Sequence, residues 1–502
     1  MHCSRGREGG GFAPLAGDFT KGSPSPSSPR AVPVVAPLLS FSSTPSPPLL
    51  LFFSAATTLT LSSPRVAHRA VHTSFLAGIG QRHHRDVIQR GRASSDLSSD
   101  DSGEVKEEDD VGVAAMVVVV MVLIVAAPAT STLHPLDYLV LQSIPKSLAD
   151  APGAHFFASW DFTADPCAFS GVLCANDRVV ALSLGDPRPG SPGLAGTLPA
   201  SLTRLPALSE LSLVPGQVAG SLPAALPPAL RFLALAGNCL SGPIPPSLSS
   251  LRCLRTLDLS SNRLSGSIPT ALLRLPELHT VILAGNRLSG SIPSPAAPLL
   301  RLDLARNSLT GAVPPLPPSL LYLSLAANRL TGRVDCVLPR LTRLNFLDLS
   351  MNRLSGPIPG TIFTFPVASL RLQRNQFAGD LRPAGQLAVA GATVDLSFNR
   401  LTGAVPAELA PAGRLYLNFN RFTGEVPLAV AGRVVAGRMR VLYLHHNYLT
   451  GFGIRAGSAL PAGTALCLQY NCVAPPAGTA LCPRNTESRT TRPPEQCASG
   501  GK

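Results

Sequence analysis

Cysteine is the residue type with the clearest chemistry in this sequence, and six of the cysteines flank one long regular region. Two precede that region and four follow it closely: Cys167, Cys174, Cys467, Cys472, Cys482 and Cys497. Cysteines grouped at both ends of an array predict disulfide-bonded caps in an oxidising compartment. Zinc binding by the last four is the alternative, but their irregular spacing argues against it. Three further cysteines leave an odd number, so at least one free thiol is expected: Cys239, Cys253 and Cys336.

No other group of reactive side chains indicates catalysis. The sequence has no nucleophile–base motif, no phosphate-binding loop and no regular metal-ligand spacing. His445 and His446 offer two metal ligands, but adjacent residues of a strand face opposite sides unless a turn has begun. We therefore predict a protein that is not an enzyme, with no cofactor and no metal.

Composition and charge set the class of molecule. Of the 502 residues 45% are hydrophobic and only 5% aromatic, so the core must be filled by aliphatic side chains. The 43 glycines and 50 prolines imply many turns, or disorder if the sequence lacks a period. The net charge of +13 comes from the residues after Met116 and is carried mostly by arginine. A basic surface attracts anions such as acidic polysaccharide; we predict no nucleic-acid partner.

The first part of the chain differs from the rest. Residues 1–115 are predicted to be a disordered leader or an over-extended gene model, because Ser- and Pro-rich segments bury too little apolar surface. Residues 116–130 contain an apolar run of signal-peptide length and a small-residue cleavage site at Ala127-Pro128-Ala129. A transit peptide or a type II membrane anchor are the alternatives. We expect a mature chain that is secreted to the extracellular space or cell wall, without a transmembrane anchor.

A recurring unit is the strongest feature of the sequence. Residues 257–269 read LDLSSNRLSGSIP, and residues 347–359 read LDLSMNRLSGPIP. An asparagine recurs at intervals of 21 to 27 residues, which is the period of leucine-rich repeats. These asparagines are Asn238, Asn262, Asn286, Asn307, Asn328, Asn352, Asn375, Asn399, Asn420 and Asn447. Counted from Leu182 to Asn471, the pattern predicts about 13 coils.

Each position of the unit has a physical task. The Leu-x-Leu pair forms a short strand with both leucines inward, and the asparagine amide bonds backbone groups that would otherwise be buried unpaired. One coil cannot bury its own apolar side, so coils must stack. The prediction is an α/β solenoid, a right-handed leucine-rich-repeat superhelix with a short parallel strand per coil on the concave face. Its parts are an amino-terminal cap (133–177), repeats (178–465) and a cysteine-rich carboxy-terminal cap and tail (466–502).

The Leu-Ser/Thr-Gly-x-Ile/Val-Pro segment resembles the plant-specific class of leucine-rich repeat. That class occurs in receptor-kinase ectodomains, receptor-like proteins and polygalacturonase-inhibiting proteins. Residues 159–174 resemble the plant amino-terminal cap, with Phe169 where the family usually has tryptophan. Residues 137–144 read as the cap helix, which Pro145 is expected to interrupt. The resemblance covers residues 133–497 and implies a binding protein, most similar to members that lack transmembrane and kinase segments.

The later coils are predicted to bind the ligand. Aromatic residues beside arginine and amide groups have the composition of a binding hot spot. The candidates are Arg371, Gln373, Arg374, Phe398, Tyr416, Asn418, Phe419, Tyr443, His445 and His446. The alternative is that Phe398 and Phe419 fill gaps beside the asparagines. A recurring aspartate in the strands is interpreted as structural or solvated and not as a metal column: Asp258, Asp303, Asp348 and Asp395.

Six Asn-Arg dipeptides predict a basic row along one flank. Such a row fits a polyanion such as pectate, and a solvated edge is the alternative. Its members are Arg263, Arg287, Arg329, Arg353, Arg400 and Arg421.

Three functions are compatible with this fold. The first is recognition of an extracellular protein or peptide, such as a receptor-kinase ectodomain, in cell-surface signalling or defence. The second is inhibition of a secreted cell-wall hydrolase, as polygalacturonase inhibitors do. The third is a structural role in the wall, bound to acidic polysaccharide.

Overall fold

The computed structural model describes residues 133–455, 458–476, 482 and 491–498. The leader predicted for residues 1–115 and the signal peptide predicted for residues 116–130 lie outside the described residues. Three α-helices are present in the described part: α1 (Pro135–Ser147), α2 (Leu428–Val435) and α3 (Pro494–Ala498). None of the described helices is long and apolar enough to span a bilayer.

Short strands make up most of the regular structure. In chain order they are β1 (Leu148–Asp150), β2 (Val172–Ala175), β3 (Arg178–Leu184), β4 (Leu194–Thr197), β5 (Glu210–Leu213), β6 (Gln217–Ser221), β7 (Phe232–Ala234), β8 (Cys239–Pro243), β9 (Thr256–Asp258), β10 (Arg263–Gly266), β11 (Thr280–Ile282), β12 (Arg287–Leu288), β13 (Arg301–Asp303), β14 (Tyr322–Ser324), β15 (Thr331–Gly332), β16 (Phe346–Asp348), β17 (Arg353–Gly356), β18 (Ser369–Arg371), β19 (Gln376–Asp380), β20 (Thr393–Asp395), β21 (Arg400–Thr402), β22 (Arg414–Tyr416), β23 (Thr423–Glu425), β24 (Val441–Tyr443), β25 (Tyr448–Gly451) and β26 (Ala465–Cys467).

The concave sheet contains one strand from every coil. Its order is β2-β3-β5-β7-β9-β11-β13-β14-β16-β18-β20-β22-β24-β26. The β2–β3 pair at the amino-terminal edge is antiparallel, and the pairs that follow are parallel. The register places the inward leucine of each strand beside that of the next, as with Leu302, Leu323 and Leu347. From β3 onward the sheet has thirteen strands, the number of coils that the repeat predicts.

The other side of most coils is extended chain or 3₁₀ helix, and one coil carries helix α2 there. Smaller sheets lie there, with orders β1-β4-β6-β8-β10-β12, β15-β17-β19-β21 and β23-β25. Proline fixes φ near the value that begins a 3₁₀ turn, and prolines 199, 245, 359 and 406 are each the residue before one. The 3₁₀ helices are Phe156–Ser159, Pro166–Ala168, Ala200–Arg204, Pro246–Ser250, Leu272–Arg274, Leu338–Arg340, Gly360–Thr364 and Ala407–Leu409.

Leucine fills the interior, and asparagine satisfies its backbone. The strand residues Leu257, Leu323 and Leu347 are 0% exposed, and burying each contributes about 1.5–3 kcal/mol. Asn352 accepts a hydrogen bond from the Leu330 N–H at 3.0 Å. Its amide nitrogen donates to the carbonyl oxygens of residues 325 and 349, at 2.9 and 3.1 Å. Each amide therefore bonds its own coil to the preceding one.

The amino-terminal cap closes the first coil. Helix α1 buries Val140, Leu141 and Ile144. It continues through Pro145 to Ser147, so the expected interruption is wrong. Pro145 lies in the last turn, where it removes one hydrogen bond while the buried residues before it still hold the helix against the core. This end is joined by the Cys167–Cys174 disulfide.

The carboxy-terminal cap is held by two disulfides, Cys467–Cys482 and Cys472–Cys497. The predicted disulfide-stapled caps are therefore confirmed. The guanidinium of Arg492 adds to this cap, because it lies 4.0 Å from the Tyr448 ring centroid and 4.7 Å from that of Tyr470. In the described part of the chain, Cys253 and Cys336 are exposed free thiols.

Candidate ligand-binding surface

Two rows of side chains project from the concave sheet. The inward leucine of each strand has one outward residue before it and one after it, because side chains alternate along a strand. The first row, from β9 to β24, is Thr256, Thr280, Arg301, Tyr322, Phe346, Ser369, Thr393, Arg414 and Val441. The second row is Asp258, Ile282, Asp303, Ser324, Asp348, Arg371, Asp395, Tyr416 and Tyr443.

A central aromatic cluster crosses four consecutive coils of this surface. It consists of Arg301, Tyr322, Phe346 and Arg371. The two rings stack with centroids 4.3 Å apart and planes 3° from parallel. Guanidinium groups lie over the outer faces, Arg301 at 4.3 Å from the tyrosine centroid and Arg371 at 5.9 Å from the phenylalanine centroid. Cation–π attraction to the ring faces orders all four side chains.

Carboxylates border the central aromatic cluster. Asp303 lies 3.8 Å from Arg301 and accepts a hydrogen bond from the Tyr322 hydroxyl at 3.4 Å. Asp348 lies 3.9 Å from Arg371. Burial raises the pKa of Asp303, against the lowering effect of the Ala305 N–H and Arg301. Burial, followed by the Asp303 charge, raises the pKa of the Tyr322 phenol. The cluster thus presents the edges of two stacked rings, framed by charges of both signs.

This cluster was missed by the sequence analysis, except for Arg371. The available signal was an aromatic residue directly before a strand leucine, in Tyr322-Leu323 and Phe346-Leu347. Only the register of adjacent strands shows that these rings meet, because Tyr322 and Phe346 are direct partners.

Farther along the second row, two tyrosines form another group on the concave surface. Tyr416 and Tyr443 are register partners and pack edge to face, with centroids 5.3 Å apart. Both are half-buried. Burial and the neighbouring phenol raise the pKa of Tyr416. Asp395 is the register partner on the other side, and burial raises the pKa of its carboxyl. The structure therefore brings Arg371, Tyr416 and Tyr443 onto one continuous surface with the central cluster.

An edge column forms where the concave strands end. Its rings belong to Phe398, Phe419, His446 and Tyr470, whose successive centroids lie 4.3, 4.1 and 4.7 Å apart. Arg374 covers the first ring, with its guanidinium 4.5 Å from the Phe398 centroid. Because each ring covers the next, the stacked faces are occupied and only ring edges face outward. This arrangement is close to the alternative in which Phe398 and Phe419 fill gaps.

Two of the candidate residues lie beneath the surface, and Gln373 is half-buried, as the two tyrosines are. Asn418 and His445 are each 6% exposed. His445 Nδ1 lies 2.8 Å from the sulfur of Cys467. Burial, then the nearby His446, lowers the pKa of His445 to about 4. Atoms of His445, Cys467 and Cys482 lie within 4.8 Å of one another, but the two sulfurs are bonded to each other.

The recurring aspartates make local turns. The Asp258, Asp348 and Asp395 carboxylates each accept from the backbone N–H and hydroxyl of the serine two residues later. Asp303 accepts from the Ala305 N–H at 3.2 Å. These bonds fix the end of each strand, in agreement with the structural interpretation of this column.

The six arginines of the Asn-Arg dipeptides lie on a different part of the coil. Each follows the buried asparagine and begins or precedes a strand of the smaller sheets. They are therefore separate from the concave rows.

Comparison with known families identifies two kinds of module. Residues 134–175 match the leucine rich repeat N-terminal domain. Residues 229–251, 253–275 and 343–365 match the leucine rich repeat. The chain thus carries the amino-terminal cap and the repeats that its sequence resembles.

Similar proteins come from plants. The Arabidopsis thaliana protein STRUBBELIG-RECEPTOR FAMILY 1 is 37% identical over 92 residues, which are 18% of this chain and 11% of that protein. The crystal structure of PEPR1-AtPEP1 has a TM-score of 0.50 and 27% identity, over 67% of this chain and 52% of that one. The ectodomain of the Arabidopsis thaliana receptor kinase GASSHO1/SCHENGEN3, in complex with CASPARIAN STRIP INTEGRITY FACTOR 2, has a TM-score of 0.44 and 27% identity, over 62% of this chain and 44% of that one. The chain spans about a tenth of the length of the curated relatives it matches.

Proposed function

We propose that this plant-type leucine-rich-repeat chain is a non-catalytic extracellular protein that binds a protein or peptide on its concave sheet, in cell-surface signalling or defence. The observation that carries the proposal is the central aromatic cluster, whose half-buried stacked rings and flanking guanidinium groups line the concave sheet. Aromatic and arginine side chains dominate the energetics of protein interfaces. The leucine-rich-repeat ectodomain fold supports the same role.

An extracellular location is supported by the chemistry of the caps. Disulfides persist in oxidising compartments and are rare in the cytosol. Both ends of the described solenoid carry them, at Cys167–Cys174 and at the carboxy-terminal pairs. We propose the division into cap (133–177), repeats (178–465) and carboxy-terminal cap (466–502) on the same grounds.

The extent of the surface fits an extended peptide. The outward residues from Arg301 to Tyr443 belong to seven successive strands, β13 to β24. Six inter-strand steps of about 4.8 Å make roughly 29 Å, and an extended peptide rises about 3.3 Å per residue. A bound segment of roughly nine residues therefore reaches from the central cluster to the tyrosine pair.

The test is selection from a display library of linear peptides on the immobilised full chain. Peptides that bind wild type are measured against Tyr322→Ala, Phe346→Ala and Tyr443→Ala. Loss of an anchor worth about 2 kcal/mol weakens binding roughly 30-fold. Each variant is expected to stay folded with a small loss of stability, about 1 kcal/mol or less, because these side chains pack on cross-strand neighbours but lie outside the leucine core.

The matched control is Leu428→Ala on helix α2. That leucine is 75% exposed, so its loss removes a large apolar surface group away from the concave sheet. Its variant is expected to bind as wild type does. The proposal would be overturned if the selected peptides bound the three concave variants as tightly as they bind wild type. It would also be overturned if Leu428→Ala weakened binding as much as the concave variants do.

A further inference from the structure

A second charged feature is independent of the concave sheet. We call it the arginine stripe, and it occupies the residue after the buried asparagine in successive coils: Arg263, Arg287, Arg329, Arg353, Arg400 and Arg421. Over eight consecutive coils, arginine stands at this position in all but two, where Ser308 and Gln376 take its place. The stripe thus repeats as two arginines and one polar residue.

The base of each stripe residue is rigid. The residue that follows each arginine is fully buried, as shown by Leu264, Leu330 and Leu401 at 0% exposure. The preceding asparagine is held by its hydrogen bonds to two coils. The backbone of the stripe is therefore fixed, while most of its side chains are exposed.

Five of the six guanidinium groups of the stripe keep their hydrogen-bonding capacity. Within residues 133–455, some other arginines are engaged with carboxylates, for example Arg333 with Asp335 and Arg255 with Glu277. Five stripe members have no ion pair and no side-chain hydrogen bond to any described residue: Arg263, Arg287, Arg329, Arg353 and Arg400. A line of unpaired cations attracts a linear anion.

We propose that the arginine stripe binds an acidic polysaccharide, with carboxylates along the polymer paired to successive guanidinium groups. A guanidinium matches a carboxylate with two parallel hydrogen bonds. The Ser308 hydroxyl and the Gln376 amide stand in the gaps, where they can bond sugar hydroxyls. The stripe presents no aromatic ring on which a nucleobase stacks and no exposed apolar chain that enters a lipid layer.

The experiment measures binding of the full chain to immobilised sodium polygalacturonate. Wild type is expected to bind at low salt and to dissociate as salt rises, because the Debye length falls from about 30 Å at 0.01 M to about 8 Å at 0.15 M. A stripe variant with five Arg→Gln changes, at residues 263, 287, 329, 353 and 400, is expected to bind about tenfold more weakly or worse.

The matched control loses the same charge elsewhere. It carries Arg→Gln at five exposed positions in or after the 3₁₀ turns and helix α2, namely Arg252, Arg274, Arg340, Arg343 and Arg438. It is expected to bind as wild type does, whereas equal loss in both variants would show that net charge alone acts and would overturn the proposal. Unchanged binding by the stripe variant would also overturn the proposal. The same holds if wild type binds methyl-esterified polygalacturonate equally well. It holds too if the stripe binds phosphatidylserine vesicles and the protein does not bind the polysaccharide. Circular dichroism and melting establish that both variants are folded, and peptide binding at the concave sheet stays intact.

Discussion

At the residue scale, the buried asparagines do what no apolar side chain can. Each turn at the end of a concave strand leaves backbone N–H and C=O groups in the interior, and such groups are costly when unpaired. Asn352 is 9% exposed and reaches one N–H and several carbonyl oxygens. A side-chain amide has two N–H donors and one carbonyl acceptor, so one group can serve all of these backbone atoms.

Replacing one of these amides should therefore lower the stability of the fold. Asn352→Leu is expected to lower the free energy of unfolding by about 2–4 kcal/mol, because the Leu330 N–H and the carbonyl groups lose their partner. Urea unfolding followed by circular dichroism measures the change. The neighbouring exposed substitution Arg353→Gln is the control and should stay within about 0.5 kcal/mol of wild type. Equal stability of Asn352→Leu and wild type would contradict this role.

A different residue makes the last coils sensitive to acid. His445 is buried against Cys467, and its folded pKa of about 4 lies below the ordinary value of 6.5. The folded state thus favours neutral imidazole. Its contribution to stability is fully present above pH 6.5 and is lost as pH falls toward 4, where the unfolded chain binds the extra proton.

Melting temperatures at pH 7.5, 6, 5 and 4 test this pH dependence. Wild type should lose more stability than His445→Gln between pH 6.5 and 4, because glutamine has no proton to gain. Asp303 and Asp395 have raised pKa values and act in the opposite direction in both proteins. Parallel curves for the two proteins would rule out His445 as the source.

At the element scale, periodicity predicted the concave strands but not the structures between them. Leu257, Leu323 and Leu347 repeat with an asparagine at constant distance, so their burial follows from the sequence alone. The smaller sheets and 3₁₀ turns have only Gly and Pro as signals, and those residues specify backbone angles without specifying partners. The continuation of α1 past Pro145 depends on packing against coils distant in sequence.

The candidate surface was predicted only in part, for a related reason. Arg371, Tyr416 and Tyr443 were identified because they follow the first strand leucine. Tyr322 and Phe346 precede it, and a single strand does not reveal which aromatic rings of neighbouring coils come into contact. Four coils in register are needed before the central aromatic cluster exists.

At the scale of the whole molecule, each coil is stabilised by packing against its neighbours. In the described part of the chain, each concave strand pairs with the strands of the adjacent coils, so a defect should loosen nearby coils first. Leu323→Ala removes a fully buried side chain from strand β14, at a cost of about 2–5 kcal/mol.

Hydrogen exchange resolved along the chain measures this effect. Amides of β13, β14 and β16 should exchange faster in Leu323→Ala, with the increase fading toward β3 and β26. The exposed change Thr342→Ala should leave the exchange profile unchanged. Uniform acceleration in all coils would instead indicate that the solenoid opens as one cooperative unit.

The residue before each buried asparagine has a left-handed backbone in nearly every coil. Ser261, Arg306, Met351, Phe419 and Tyr470 all adopt φ between 53° and 56°, a conformation that costs roughly 1–2 kcal/mol for a residue with a Cβ atom. The fold imposes this bend on hydroxyl, cationic, thioether and aromatic side chains alike. The same backbone bend therefore carries very different side chains in successive coils, so the chemistry of the surface along this line can vary above an unchanged interior.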